Sequence, residues 1–245
     1  MKIRTVRRGG VLGVAVVVAL IASALPASAA PGDGSAYAAD VNVTLLNRPA
    51  VDIGPLSPSN TSGPTTNTLA SIEVPGVLTT GVVTSSANLN ESTGVVHSEA
   101  AVAEARLLLG NLGSIGSLKA TCDATQAGNV GSTALTGVNL LGVSIPGNPA
   151  PNTTVSIPPV LSLASLTFNE QIANPDGSLT VNAVHVRLNA LLGSGDLIIG
   201  SATCGPAAAP IPLASGLGLW IGLGLVVAVV VPVGLRLVRR RTAAV

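Results

Sequence analysis

SLTVNAVHVRLNALLGSGDLIIGSATC, residues 178–204, is the stretch that decides the fold. Its first half alternates apolar with polar residues, the period of a β-strand with one face turned to water: Val184, Val186, Leu188 and Ala190 against His185, Arg187 and Asn189. The pattern predicts a strand over about 178–191 that packs its apolar face into a core. It also predicts that His185 is a solvated surface histidine.

Turn signals stand on both sides of this strand. NPDG at 174–177 precedes it, with proline suited to the second turn position and glycine to a positive φ. GSGD at 193–196 follows it and reverses the chain into another apolar run. The stretch therefore predicts a three-strand antiparallel meander at about 166–172, 178–191 and 196–204.

The preceding part of the chain shows the same features more weakly, with strands predicted near 37–46, 79–86, 95–108, 115–125 and 133–145. AVAEARLLL, 101–109, also suits a helix, because Ala, Glu, Arg and Leu are helix formers. Its position ahead of an Ala-Thr-Cys triplet, like that of the later strand, favours a strand. The expected fold class is all-β: an antiparallel β-sandwich over residues 30–204, with an N-terminal signal peptide and one C-terminal transmembrane helix.

Two stretches rich in proline, 54–68 and 145–159, show no periodicity and are predicted to be loops. Central strands do not accept proline, because it cannot donate a ladder hydrogen bond. Residues 205–212, GPAAAPIP, are predicted to be a short Ala/Pro tether.

Residues 1–29 have the three parts of a secretory signal peptide. Basic residues in MKIRTVRR come first, the apolar run VLGVAVVVALIASAL follows, and small residues including Ala27 and Ala29 mark the cleavage site. A retained membrane anchor is the less favoured alternative, because the apolar run is shorter than the roughly 20 residues that a span requires.

Residues 213–238 carry no charge before Arg236 and are predicted to form a transmembrane helix. Trp220 suits the outer interface, and Arg236 can extend its charge to the inner one. The tail 239–245 begins with three adjacent arginines, which favour the cytoplasmic side: Arg239, Arg240 and Arg241. The chain is thus predicted to be a single-pass cell-membrane protein whose bulk is extracellular. Its predicted partners include the lipid bilayer that holds the helix.

The charge is unevenly distributed. Of 12 basic residues, only Arg48, Arg106, Lys119 and Arg187 lie outside the two terminal segments, whereas all 11 acidic residues lie between Asp33 and Asp196. The exported part therefore has four basic and 11 acidic residues, a net charge of −7. This balance disfavours nucleic acid as a partner.

The chain holds only two cysteines, Cys122 and Cys204, and each ends a similar phrase. LLLGNLGSIGSLKATC and NALLGSGDLIIGSATC share a Leu-Leu-Gly group, a glycine-bearing turn, a short apolar strand and Ala-Thr-Cys. Two related hairpins of one sandwich would repeat in this way, and an exported domain can keep a disulfide. We predict a structural disulfide, with free thiols as the main alternative and a metal or redox pair as a remote one.

No pattern in the sequence supports an enzyme, a cofactor or a metal site. The motifs of serine hydrolases, zinc proteases, phosphate-binding loops and calcium loops are all missing from the sequence. The two histidines, His97 and His185, show no metal-ligand spacing. We therefore predict no catalytic, cofactor-binding or metal-binding residues.

The segments SAYAADVNVTLL (35–46), VDIGP (51–55), NPDGSLTVNAVHVRL and DLIIGSATC, followed by an Ala/Pro tether, resemble the choice-of-anchor P family of actinobacterial exported proteins. Members of that family join a common exterior domain to varied C-terminal anchors. The resemblance implies a surface location and carries no catalytic residues. IPLASG, 211–216, departs from the cell-wall sorting pattern, so a plain membrane anchor is expected.

These features predict a non-enzymatic, membrane-anchored cell-surface protein with a structural or interaction role. The alternative is an extracellular binding module for an envelope polymer, a surface protein or another ligand. A hydrolase with a dispersed site is a third, weaker hypothesis. Gly218 and Gly222 on the predicted span permit close helix packing, which makes a weak homodimer a minority hypothesis.

Overall fold

The computed structural model describes residues 30–46, 48–158 and 162–210. Within them the protein is all-β, and its strands in chain order are β1 Gly34–Leu45, β2 Val51–Leu56, β3 Ser59–Asn60, β4 Thr66–Leu69, β5 Glu73–Val74, β6 Leu78–Thr79, β7 Val83–Asn90, β8 Val95–Leu107, β9 Gly113–Thr125, β10 Gly128–Thr136, β11 Asn139–Leu140, β12 Thr153–Ile157, β13 Ala164–Ala173, β14 Leu179–Leu188 and β15 Gly193–Cys204. A short 3-10 turn, Leu109–Asn111, joins β8 to β9.

The strands form two antiparallel sheets. Sheet A has the order β12-β13-β14-β15-β1-β2, with β3 also paired to β1. Sheet B has the order β10-β9-β8-β6-β5, with β7 paired to β8, β4 to β7, and β11 to β9. The predicted meander is therefore confirmed as β13, β14 and β15. The chain segment 101–109 is strand through Leu107, so the helical alternative is wrong.

The apolar faces of the two sheets enclose one core, as in a β-sandwich. Its members are almost all aliphatic: Val41, Leu107, Leu118, Val184 and Ile199 are buried, and Phe168 is its one large aromatic residue among the described positions. Alternating Val, Leu, Ile and Ala supply this core without long helices, because each strand turns every second side chain inward.

The alternation reverses once along several of the main strands, including β14 and β15. In β14, Val181 and Ala183 are buried in the core at odd positions, and Val184 and Val186 continue it at even positions. The same reversal occurs beside Gly200 of β15, which has a φ of +68°. On one side of the reversal the odd-numbered side chains of β14 face the core, and on the other side the even-numbered ones do. The pairing of β14 with β13 and β15 keeps the same register on both sides.

Both stretches predicted to be loops contain short strands, so those predictions are wrong in part. Residues 54–68 contribute to β2, β3 and β4, and residues 145–159 contribute β12. β12 and β2 are the two edges of sheet A. An edge strand tolerates nearby proline, because one row of its backbone groups needs no partner.

The first half of the predicted tether lies along the domain. Gly205 N donates to Asp33 O (2.7 Å) and Ala208 N to Gly94 O (2.8 Å), while Pro206 O accepts from Gly32 N (2.9 Å). Among residues 30–46, 48–158 and 162–210, no helix is long and apolar enough to cross a membrane. The predicted signal peptide, transmembrane helix and basic tail lie outside the described residues, as do Ala27, Ala29, Trp220, Arg236, Arg239, Arg240 and Arg241.

Candidate functional site

Five polar residues form one hydrogen-bonded network on the outer face of sheet A, hereafter the polar network. Glu170 comes from β13, Asn182, His185 and Arg187 from β14, and Asp196 from β15. The hairpin registers bring them together, because Glu170 lies opposite Asn182 and Arg187 lies opposite Asp196.

Glu170 is the centre of this network. Its Oε2 lies 2.7 Å from His185 Nδ1 and accepts a hydrogen bond from Asn182 Nδ2 at 2.8 Å. Its Oε1 accepts from Arg187 Nη2 at 3.1 Å. The side chain is only 8% exposed, so its charge depends on these partners for stabilisation in place of water.

His185 is buried, which shows that the prediction of a solvated surface histidine is wrong. The sequence pattern assigned it correctly to the polar face. On that face, however, Glu170 and Asn182 are opposite each other and are buried as His185 is. A histidine buried in this way must find hydrogen-bond partners within the protein.

The chemistry of His185 is limited by its two contacts. Nδ1 faces Glu170, and Nε2 lies 2.9 Å from Asp196 Oδ1. An ionised carboxylate only accepts hydrogen bonds, so both contacts are satisfied when both ring nitrogens carry a proton. In that form no ring nitrogen is free to take a proton from a nucleophile, and no hydroxyl or thiol of the described residues is among its hydrogen-bond partners.

Tyr37 and Asp40, both on β1, border the polar network. Burial is the main cause that raises the pKa of Tyr37; a hydrogen bond with Ser201 lowers it by less, and the carboxylates of Asp40 and Glu170 each raise it by a smaller amount. Partial burial also raises the pKa of Asp40, with repulsion from Asp52 as the second cause. The surroundings of both groups therefore disfavour their negatively charged forms.

An open concavity of about 360 Å³ adjoins Arg187. Three serine hydroxyls and an amide line it, from Ser156, Ser162, Ser165 and Asn189. Within the described part of the chain, these three hydroxyls make no side-chain hydrogen bond. Arg187 is fixed at its border, because Glu170 and Asp196 hold its guanidinium from two sides.

The outer face of sheet B carries a second, more exposed group of charges. His97 Nδ1 lies 2.6 Å from Asp123 Oδ1, and Lys119 Nζ donates to Glu99 Oε2 at 3.2 Å. These side chains are between 30% and 47% exposed. Contacts of this kind stabilise a protein by about 1 kcal/mol or less, so they read as surface pairing between strands.

The predicted disulfide is confirmed: Cys122 of β9 and Cys204 of β15 are bonded and fully buried. Each cysteine is near the end of its strand, and the bond joins sheet B to sheet A. Among the described residues, no cysteine is free, and no three His, Cys, Asp or Glu side chains are placed to hold a metal ion.

The sequence pattern did not predict the network of Glu170 and Asp196 with His185. The signal for it was the pair of turns, because a hairpin centred on Asp176 sets Glu170 against Asn182, and the next one sets Arg187 against Asp196. No protein-family model matches the chain, and neither a curated protein nor a solved structure does so.

Proposed function

We propose that this chain is a non-enzymatic cell-surface protein, exported, held by a C-terminal membrane helix, and structural or interactive in role. The single observation that supports it best is the buried disulfide between Cys122 and Cys204. Such bonds persist in oxidising compartments and are rare in the cytosol. The resemblance to choice-of-anchor P proteins is part of the same proposal.

The positions of the domain's ends also support a chain held from one side. Gly32 is hydrogen-bonded to Pro206, so the first and last described segments leave the same end of the sandwich. A leader cleaved before residue 30 and a span after residue 212 would then lie on the same side of the domain. The polar network adds support for a non-enzymatic role, since both nitrogens of His185 are occupied by carboxylates.

Protease shaving of intact cells tests this proposal. With tags at Ala30 and at the C-terminus of the full chain, external protease should remove the first tag and leave the second. A variant lacking residues 1–29 is the matched control and should stay protected, with Cys122 and Cys204 reactive to a thiol reagent. A full chain that stays protected in intact cells, or exported chain with free Cys122, would contradict the proposal.

A second candidate function, a binding module for an envelope polymer, is favoured by the concavity beside Arg187. Its serine hydroxyls and the Asn189 amide can donate and accept hydrogen bonds, as the hydroxyls of a saccharide require. The guanidinium of Arg187 already contacts two carboxylates, those of Glu170 and Asp196. The concavity therefore suits a neutral polyol better than a strong anion.

Sedimentation with isolated cell wall separates the two functions. A binding module sediments with the wall, and Ser165→Leu, which fills the concavity, abolishes this. Ser71→Leu is the control, because Ser71 is an exposed loop residue elsewhere. Sedimentation unchanged by Ser165→Leu would remove this site as the binding surface.

A further inference from the structure

The repeated sequence phrase corresponds to two equivalent paths through the fold. Each Leu-Leu-Gly lies at one end of the sandwich, and each Ala-Thr-Cys at the other: Leu107 pairs with Gly113, Leu45 with Gly193, and Gly34 with Cys204. One strand spans the distance in each copy, β9 in the first and β15 in the second. We call the Leu-Leu-Gly end the tip and the other the exit.

The two paths meet at both ends. At the tip, Gly110 of the first loop lies beside Leu192 of the second, since a Cβ added to Gly110 would be 3.4 Å from Leu192 Cδ1. At the exit, the disulfide joins Cys122 to Cys204. Leu108 and Leu191 are exposed at the tip, 38% and 63% respectively.

The chain beyond Cys204 continues this connection. Residues 205–208, hereafter the exit segment, pair with residues 32–33 beside sheet A. They then cross to sheet B, where Ala208 N donates to Gly94 O and Ala208 O accepts from Gln126 Nε2 at 2.7 Å. Gly94 is required there, because a Cβ would come within 1.9 Å of Ala208 O.

We propose that β9 and β15 are paired ties that carry tension from the tip of the domain to the point where the chain leaves it. The inference rests on the proposed function, since it takes the C-terminal side to be the held side. It assigns the repeat a mechanical role. A force applied at Leu108 is transmitted to the exit through β9 and the disulfide, and a force applied at Leu191 is transmitted there through β15.

The physical basis is that these ties are already extended. A strand rises about 3.4 Å per residue, close to the maximum of roughly 3.3–3.6 Å, so tension cannot lengthen it much. Both ties are also central strands, with β8 and β10 beside β9, and β14 and β1 beside β15. Antiparallel hydrogen bonds lie across the strands, so a pull along a tie loads many of them together.

Single-molecule pulling on the full chain, with handles at Leu108 and Pro210, tests the proposal. The native path includes residues 108–122, the disulfide and residues 204–210, and its length should stay below about 80 Å. Cys122→Ala/Cys204→Ala releases the segment of 82 residues between the cysteines, which adds about 290 Å and lowers the force of the first unfolding event. With the upper handle at Leu69, which no single strand joins to a cysteine, the native chain should lengthen to about 220 Å.

A matched pair of variants tests the exit segment. Gly94→Ala/Gln126→Ala disturbs both contacts of Ala208, whereas Gly128→Ala/Asn129→Ala replaces a nearby glycine and a nearby amide whose hydrogen bonds do not involve Ala208. The first should speed exchange of the Ala208 amide roughly fivefold or more, as loss of one hydrogen bond does, and should lower the force at which the segment detaches. Equal exchange and equal force in the two variants would overturn this part.

Bead displacement under flow, from cells that display the chain with a tag at Leu108, tests the role itself. At equal surface density, beads on native chains should be displaced less than beads on the Cys122→Ala/Cys204→Ala variant, because the variant lengthens when its 82-residue loop is released. Equal displacement would overturn the proposed mechanical role. The pulling result is obtained on purified chain and does not depend on location, so failure of the anchoring proposal remains distinguishable from failure of the ties.

Discussion

Glu170 is the residue on which the outer face of sheet A depends most. Its two oxygens contact Asn182, His185 and Arg187, and its side chain is only 8% exposed. Removing one member of a buried ion pair leaves the other without compensation, which costs more than the pair itself contributes. The network therefore makes the stability of β13, β14 and β15 depend on one carboxylate.

Glu170→Gln should lower the free energy of unfolding by about 3 kcal/mol, because His185 and Arg187 lose a charged acceptor. Asp196→Asn is the matched control and should cost at most about 1 kcal/mol, since its partly exposed carboxylate is screened by water. Chemical denaturation of the full chain measures both. Equal losses would contradict the central position of Glu170.

Asp40→Asn should stabilise the protein at neutral pH. Burial and Asp52 raise the pKa of Asp40 above its ordinary value of 3.8, so the folded state binds this proton more tightly than the unfolded state. The contribution of Asp40 to the free energy of unfolding is fully present below pH 3.8, and it is lost as the pH rises through the raised pKa. The advantage of Asn should thus be present at pH 7 and vanish near pH 3. Thermal unfolding at both values measures it, and an advantage that grows toward acid would contradict the shift.

Among the elements, the long strands were predictable and their reversals were not. The strand near 95–108 and the strand near 115–125 appear as β8 and β9, because alternation and turn signals are local properties of the sequence. The reversals at Gly200 and at Asn169, with φ values of +68° and +50°, depend on the conformation of the neighbouring strands at the same level of the sheet. Glycine inside a strand and asparagine in a left-handed conformation were the available signals.

Gly200→Ala should destabilise the protein by about 2 kcal/mol. The substitution places a side chain at a positive φ and brings a Cβ within 2.7 Å of Leu118 Cδ1 and 3.3 Å of Ala183 Cβ. Gly177→Ala, at a φ of +85° but with its nearest contact at 3.5 Å, separates backbone strain from crowding and should cost closer to 1 kcal/mol. Equal costs for the two, measured by chemical denaturation, would show that the core beside Gly200 is not tightly packed.

For the whole molecule, the two-sheet arrangement and the disulfide followed from the sequence, while the edges and the polar network did not. The repeat ending in Cys122 and Cys204 indicated two equivalent hairpins. An apolar strand in the centre of a sheet needs a neighbouring strand on each side, which favoured an arrangement of full sheets. Residues 54–68 and 145–159 were read as loops because their strands are short and lie at edges, where pairing is decided by the neighbouring sheet.

Removal of the disulfide tests how far the sandwich depends on one bond between its sheets. Cys122→Ala/Cys204→Ala should lower the free energy of unfolding by on the order of 4 kcal/mol, because the unfolded chain regains the freedom of a long closed loop. For a domain of this size the corresponding fall in Tm is about 10 °C. Cys122→Ser/Cys204→Ser should fall further, since it buries two hydroxyls where the native residues are fully enclosed. A Tm unchanged by the alanine pair would show that packing of the aliphatic core alone holds sheet A against sheet B.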